Sequence, residues 1–146
     1  MPNRSTSFLI HCLDHQISQR NSQRLNQIGL TLPQAVVLDF LFWRQQETVN
    51  QRSLEKFMQL SNPSVTSLLR NMESKGLVVR ERDESDGRSR NLKLTDKGIA
   101  MHPVAGGIFE ETNEKLAEVL GPADREIFRG LLLKLEKSLI EEERGR

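Results

Sequence analysis

The chain has 146 residues, 36% of them apolar and 28% charged, enough for one compact domain, or for a domain with an attached helical extension, and against long disordered stretches. Its single cysteine, Cys12, excludes an intrachain disulfide, and its most apolar window, Ala35–Trp43, is too short and too polar at Asp39 to span a bilayer. The net charge of +1 hides an asymmetry: residues 1–48 carry 4 Lys/Arg against 3 Asp/Glu, residues 49–98 carry 10 against 7, and residues 99–146 carry 7 against 10.

A first helix is predicted from about Thr6 to Ile28, with Phe8, Leu9, Leu13, Ile17, Leu25 and Ile28 as its apolar positions and Gly29 as its C-terminal stop. Thr31 caps a second helix, and Pro33 sits in the first turn, where a missing N–H costs nothing. Val36, Val37, Phe40, Leu41 and Trp43 make this helix strongly apolar. Glu47 to Asn50 reads as a turn. The third helix runs from about Gln51 to Leu60 with Leu54, Phe57 and Met58 on one face. Ser61-Asn62-Pro63 breaks the chain and starts a fourth helix, which Gly76 stops.

Leu77 to Arg82 is rich in β-formers, Glu84 to Arg90 is a charged turn, and Asn91 to Leu94 alternates polar and apolar residues. Together they read as a hairpin. Thr95 caps a fifth helix, with a kink expected between Pro103 and the Gly106-Gly107 pair and an end at Gly121-Pro122. The last helix starts near Asp124 and presents Ile127, Phe128, Leu131, Leu132, Leu135, Leu139 and Ile140. The fold class is therefore mainly α with a small β-hairpin wing: a winged helix-turn-helix at residues 31–98, an N-terminal dimerisation helix at 1–30, and C-terminal dimerisation helices at 99–146. The terminal helices carry more apolar positions than one monomer can bury, so a homodimer is expected.

On the fourth helix, Val65, Leu68, Leu69 and Met72 share one face. At about 100° per residue, Ser67, Arg70 and Ser74 fall opposite, flanked by Thr66 and Asn71. Small polar residues let a helix approach the floor of the major groove, where Ser, Thr, Asn and Arg bond base edges or phosphates. An amphipathic surface helix would also present a polar outer face. The hairpin tips the balance: Arg80, Arg82, Arg88, Arg90 and Lys93 cluster on it, and arginine suits a narrow minor groove. Asp86 is expected to pair with a wing arginine and hold the loop. The candidate DNA-contacting residues are Arg52, Asn62, Ser64, Thr66, Ser67, Arg70, Asn71, Arg82, Asp86, Arg88 and Arg90.

The stretch Asp86-Gly87-Arg88-Ser89-Arg90-Asn91-Leu92-Lys93-Leu94-Thr95-Asp96-Lys97-Gly98 resembles the wing signature of the MarR (multiple antibiotic resistance regulator) family, Asp-x-Arg followed by an alternating strand and Leu-Thr-x-x-Gly. Leu60 to Leu69, and Glu73 to Val78, resemble that family's recognition helix and the start of its wing. The resemblance implies a bacterial homodimer that binds pseudo-palindromic double-stranded DNA. It places Arg88 in the minor groove, Asp86 in wing support, and Ser64, Thr66, Ser67 and Arg70 on the major groove or its phosphates. Many relatives carry arginine where this sequence has Ser67, a departure that bears on base preference. The implied function is a sequence-specific transcription regulator, a repressor relieved by a small ligand. The alternative is a winged-helix adaptor that binds protein without specific DNA recognition.

Family members hold small aromatic or phenolic ligands between the first, second and fifth helices, and His11, His15, Trp43, Arg44 and Met101 are the corresponding candidates here. His11 and His15, at i and i+4, also have zinc spacing, with Asp14 or His102 as further ligands, but no compact third ligand is evident and no metal site is assigned. Some members of that family sense oxidants through an N-terminal cysteine held near tyrosines; this chain has no tyrosine, and a lone helical cysteine such as Cys12 reads instead as a small apolar residue. No nucleophile–base pair, phosphate-binding glycine motif or cofactor signature points to an enzyme. A cytoplasmic protein is expected.

Overall fold

The computed structural model describes residues 4–82, 85, 87 and 90–145. Helix α1 spans Thr6–Gln27, α2 Leu32–Phe42, α3 Gln51–Met58 and α4 Asn62–Ser74; strands β1 (Val78–Arg82) and β2 (Arg90–Leu94) follow, and α5 runs from Asp96 to Arg144. The fold is mainly helical with one two-stranded antiparallel sheet, as the sequence predicts. The chain forms two compact units, residues 1–108 and 109–146.

Local chemistry sets the boundaries in the first unit. Ser5 caps α1 by accepting from the Phe8 N–H, and Gly29, at φ +77°, turns the chain out of it. Thr31 and Gln34 form a reciprocal capping box at the start of α2. Asn50 accepts from the Ser53 N–H to start α3. That helix ends two residues earlier than expected, because Gln59 takes the left-handed conformation at φ 54°. Ser61 caps α4, Pro63 occupies its first turn, and Gly76, at φ +71°, leads into β1.

The core of this unit is built on α2. Val37, Leu38 and Leu41 of α2, Leu54 of α3, Val65, Leu69 and Met72 of α4, and Leu77, Val78 and Leu92 at and in the hairpin are all essentially excluded from solvent, with α2 packed on α4 and β2. Each such side chain contributes roughly 1.5–3 kcal/mol of burial free energy. Strand register aligns Val78 with Leu94, Arg80 with Leu92 and Arg82 with Arg90. A bridge between Asn50 and Asn91, with Leu92 N donating to Val49 O at 2.7 Å, ties the segment before α3 to the hairpin.

The Leu94-Thr95-x-x-Gly98 run has a clear structural reason. Thr95 Oγ1 donates to Gly76 O at 2.5 Å and accepts from Gly98 N at 3.0 Å, so one hydroxyl caps α5 and anchors it to the turn after α4. Gly98 lies so close to the Leu77 carbonyl that a Cβ would stand 2.2 Å from its oxygen.

The expected kink between Pro103 and Gly107 is not found. Those residues keep helical dihedrals; Pro103 removes only the N–H that would bond Ile99 O. The one non-helical residue inside α5 is Gly121, at φ 76° and ψ 167°. Both angles follow from sequence: positive φ favours glycine, and the residue before Pro122 is driven to extended ψ. In the second unit the two segments flanking Gly121 line a groove of about 300 Å³ between Leu116, Leu120, Phe128 and Leu132, among others. Ile127, Leu131, Leu135 and Leu139 are exposed beyond it. Among the described residues, no single helix is long and apolar enough to cross a membrane.

Candidate nucleic-acid interface

Helix α4 buries Val65, Leu69 and Met72 and turns Ser64, Ser67, Arg70 and Asn71 outward, all exposed. Asn62 is exposed at its first position, and Thr66 is half-buried at the edge facing α3. Ser61 Oγ donates to Ser64 Oγ at 2.9 Å and accepts from the Ser64 N–H, organising the helix start. Arg52 is exposed on α3. Of the predicted α4 set, Ser64, Ser67, Arg70 and Asn71 therefore share the outer face, and Asn62 and Thr66 lie at its α3 edge.

The hairpin sorts its cations by strand alternation. Val78, Arg80 and Arg82 share a face with Leu94, Leu92 and Arg90. Its inner end is buried, which brings Arg80 back onto α4: Arg80 Nε and Nη2 each donate to the Glu73 carboxylate at 2.9 Å. Arg80, grouped by sequence with the wing cations, is thus a structural brace, its side chain only 15% exposed. Lys93 pairs with Glu81 at 2.8 Å. The outer end of the face leaves Arg82 and Arg90 exposed and directly opposite each other. Arg82 Nε donates to Gly87 O at 3.1 Å. Asp86 and Arg88 lie outside the described residues, as does any pairing between them.

These charges converge. The hydrogen bonds from Arg80 hold the Glu73 carboxyl below its usual range against the opposing push of burial, and the fields of Arg80, Arg90 and Arg70 act in the same direction. The Arg80 guanidinium is correspondingly raised by the same pair. Glu73 thus consumes one arginine and leaves Arg70, Arg82 and Arg90 on the surface where α4 meets the hairpin. Like charges directly opposite in a sheet are destabilising, and an anionic partner reverses that cost.

Two residues that the sequence reading did not single out organise the other edge of α4. Gln51 Nε2 donates to Thr66 Oγ1 at 2.8 Å and to Glu55 Oε1 at 3.1 Å; Asn62 Nδ2 donates to the same Glu55 oxygen at 2.6 Å. The i, i+4 spacing of Gln51 and Glu55 on the polar side of α3 was the available signal.

The ligand candidates do not share one cavity. Met101 lines a groove of about 280 Å³ with Ile28, Leu30, Lys75, Leu77 and Lys97. Arg44 lines a different one, of about 250 Å³, with Leu41, Glu47 and Lys93; its guanidinium lies 3.9 Å from the Phe40 ring centre and bonds Phe40 O. Trp43 is 71% exposed, and its indole N–H donates to Asp39 Oδ1 at 3.1 Å. The same oxygen meets His102 Nε2 at 2.9 Å, and the His102 ring stacks on Phe42 at 3.7 Å. His11 and His15 are exposed on α1, and Cys12 is half-buried there. Among the described residues, no group of three His, Cys, Asp or Glu side chains is placed to hold a metal ion.

A profile of the MarR family matches residues 30–89. The organic hydroperoxide resistance transcriptional regulator of Bacillus subtilis (strain 168) is 30% identical over 64% of this chain, a match that spans 63% of that protein's length. The HTH-type transcriptional regulator FarR of Neisseria gonorrhoeae is 31% identical over 77% of this chain and 76% of its own. Among solved structures, the S. aureus MepR–DNA complex superposes with a TM-score of 0.85 at 32% identity, covering 93% of this chain and 99% of that one.

Proposed function

This chain belongs to the MarR family, and we propose that it is a homodimeric, sequence-specific transcription regulator that binds duplex DNA through α4 and the β1–β2 wing. The observation that carries this reading is the surface shared by the polar face of α4 and the opposed, exposed Arg82 and Arg90. Ser64, Thr66, Ser67, Arg70 and Asn71 face the major groove, with Asn62 at its edge. Arg52, Arg82 and Arg90 meet phosphates, and Arg88, supported by Asp86, enters the minor groove. A protein-docking winged helix would expose apolar side chains on the outer face of α4; here that face is polar. The similarity to MepR in complex with DNA supports the same assignment.

Residues 1–30 and 99–146 form the dimer. Support comes from Phe8, Leu9, Ile10 and Leu13 at the chain's start and Ile127, Leu131, Leu135 and Leu139 at its end, each at least 41% exposed in the single chain. The regulator works in the cytoplasm as a repressor, and a small aromatic or phenolic ligand relieves it. Trp43, Phe42 and His102 supply an aromatic wall for such a ligand, whereas Met101 and Arg44 line separate grooves and are not among its contacts in the single chain. Footprinting on the DNA upstream of the protein's own gene tests the reading. The expected pattern is two protected patches about one helical turn apart; a single patch, or uniform protection, contradicts it.

A further inference from the structure

We infer that Glu55 sets the hydrogen-bonding polarity with which α4 reads its operator, holding Asn62 as an outward acceptor and Thr66 as an outward donor. The inference rests on the proposed entry of α4 into the major groove and concerns how that same surface chooses bases.

Glu55 Oε1 receives Asn62 Nδ2 at 2.6 Å and Gln51 Nε2 at 3.1 Å. An ionised carboxylate only accepts, so both amides must turn their NH2 ends to it. For Asn62, this commits one N–H to α3 and fixes which end of the amide is the carbonyl, so that Oδ1 is the acceptor it can offer to DNA. The Gln51 NH2 also reaches Thr66 Oγ1, at 2.8 Å. An amide nitrogen does not accept, so Thr66 accepts there and keeps its own proton to donate elsewhere.

Three consequences follow. A carbonyl is repelled by phosphate, so where Oδ1 of Asn62 faces the DNA it reads a base and not the backbone. In the major groove it meets an amino group, N6 of adenine or N4 of cytosine. Thr66 meets an acceptor: N7 or O6 of guanine, N7 of adenine, O4 of thymine, or a phosphate oxygen. Without Glu55 the Asn62 amide is free to turn over, and the rule at its position relaxes. Glu55 touches no DNA in this scheme; it is a positioning residue.

In vitro selection from randomised duplexes tests this with the full-length dimer, run in parallel for the wild type, Asn62→Ala, Glu55→Ala and Glu55→Gln, each checked for wild-type-like melting. The wild type is expected to select half-sites in which one position prefers adenine or cytosine by about tenfold. Asn62→Ala removes the preference at that position alone. Glu55→Ala admits guanine and thymine at the same position while the rest of the motif stands. Glu55→Gln, which still offers a carbonyl oxygen to both amides, retains the preference and guards against a mere folding defect. An unchanged preference in Glu55→Ala overturns the inference. So does a uniform loss of affinity in Asn62→Ala with a shallower salt dependence, the mark of a phosphate contact. If the wild type itself selects no motif, sequence-specific DNA reading fails first and the inference falls with it.

Discussion

Replacing Gly98 by alanine probes the junction that fixes the wing to α5. The added Cβ would stand 2.2 Å from Leu77 O, 3.2 Å from Leu77 C and 3.3 Å from Leu94 Cδ2. Carbon and carbonyl oxygen approach no closer than about 3.3 Å in ordinary contacts, so roughly 1 Å of backbone movement is required. Leu77 is 1% exposed, and its carbonyl accepts the Thr95 N–H at 3.1 Å, so the movement disturbs both packing and a hydrogen bond. Overpacking costs about 1–3 kcal/mol and the weakened bond about 1 kcal/mol, offset by about 1 kcal/mol of helix preference for alanine over glycine. A net destabilisation of about 2 kcal/mol corresponds to a melting point roughly 4–8 °C lower for a chain of this size. Gly107 lies in the same helix with nothing within 4 Å of its Cβ position, so Gly107→Ala is the matched control and is expected to be neutral or stabilising. Calorimetry at fixed protein concentration reads both. A Gly98→Ala protein as stable as the wild type, or less perturbed than Gly107→Ala, would show that the Gly98–Leu77 contact imposes no such constraint.

Arg82→Ala and Arg90→Ala should each weaken binding to every duplex alike and lower the magnitude of the salt slope by about 1, read by fluorescence anisotropy. Arg88→Ala should weaken operator binding while leaving the dimer and its melting unchanged. Because Arg80 holds the Glu73 carboxyl below its ordinary value of 4.5, that pair's stabilisation is complete above this value and is lost as pH falls through the lowered one. The stability gap between wild type and Glu73→Gln should therefore be present at neutral pH and shrink in acid, as denaturant midpoints across a pH series will show. Leu131→Glu and Leu139→Glu, at positions 55% and 61% exposed in the single chain, should shift the protein from dimer to monomer in sedimentation.

Element boundaries were legible wherever a single residue type has one local use. Gly29 and Gly76 adopt the left-handed turns their positions suggest, and Thr31 and Thr95 supply the expected caps. The breaks inside α5 were harder to rank. Proline within a helix removes one hydrogen bond and is tolerated at Pro103, whereas Gly121-Pro122 combines positive φ with a forced extended ψ. The end of α3 was misplaced because Gln59, a residue with no special affinity for positive φ, takes that conformation.

At the site, the outer face of α4 followed from helical periodicity alone. The arginines did not, because they were grouped by nearness in sequence. Strand alternation with a buried inner end separates Arg80, bound to Glu73, from Arg82 and Arg90. The i, i+4 spacing marks the Gln51–Glu55 pair, but its links to Asn62 and Thr66 depend on how α3 packs on α4, which no local pattern encodes.

The most direct test of the central claim is binding to the upstream duplex by fluorescence anisotropy across a salt series, with a scrambled duplex of the same composition as control. Tight binding by a dimer is expected, with a preference for the upstream sequence and an affinity that falls steeply with salt as phosphate contacts require. Weak binding, equal for both duplexes and insensitive to salt, would contradict that claim.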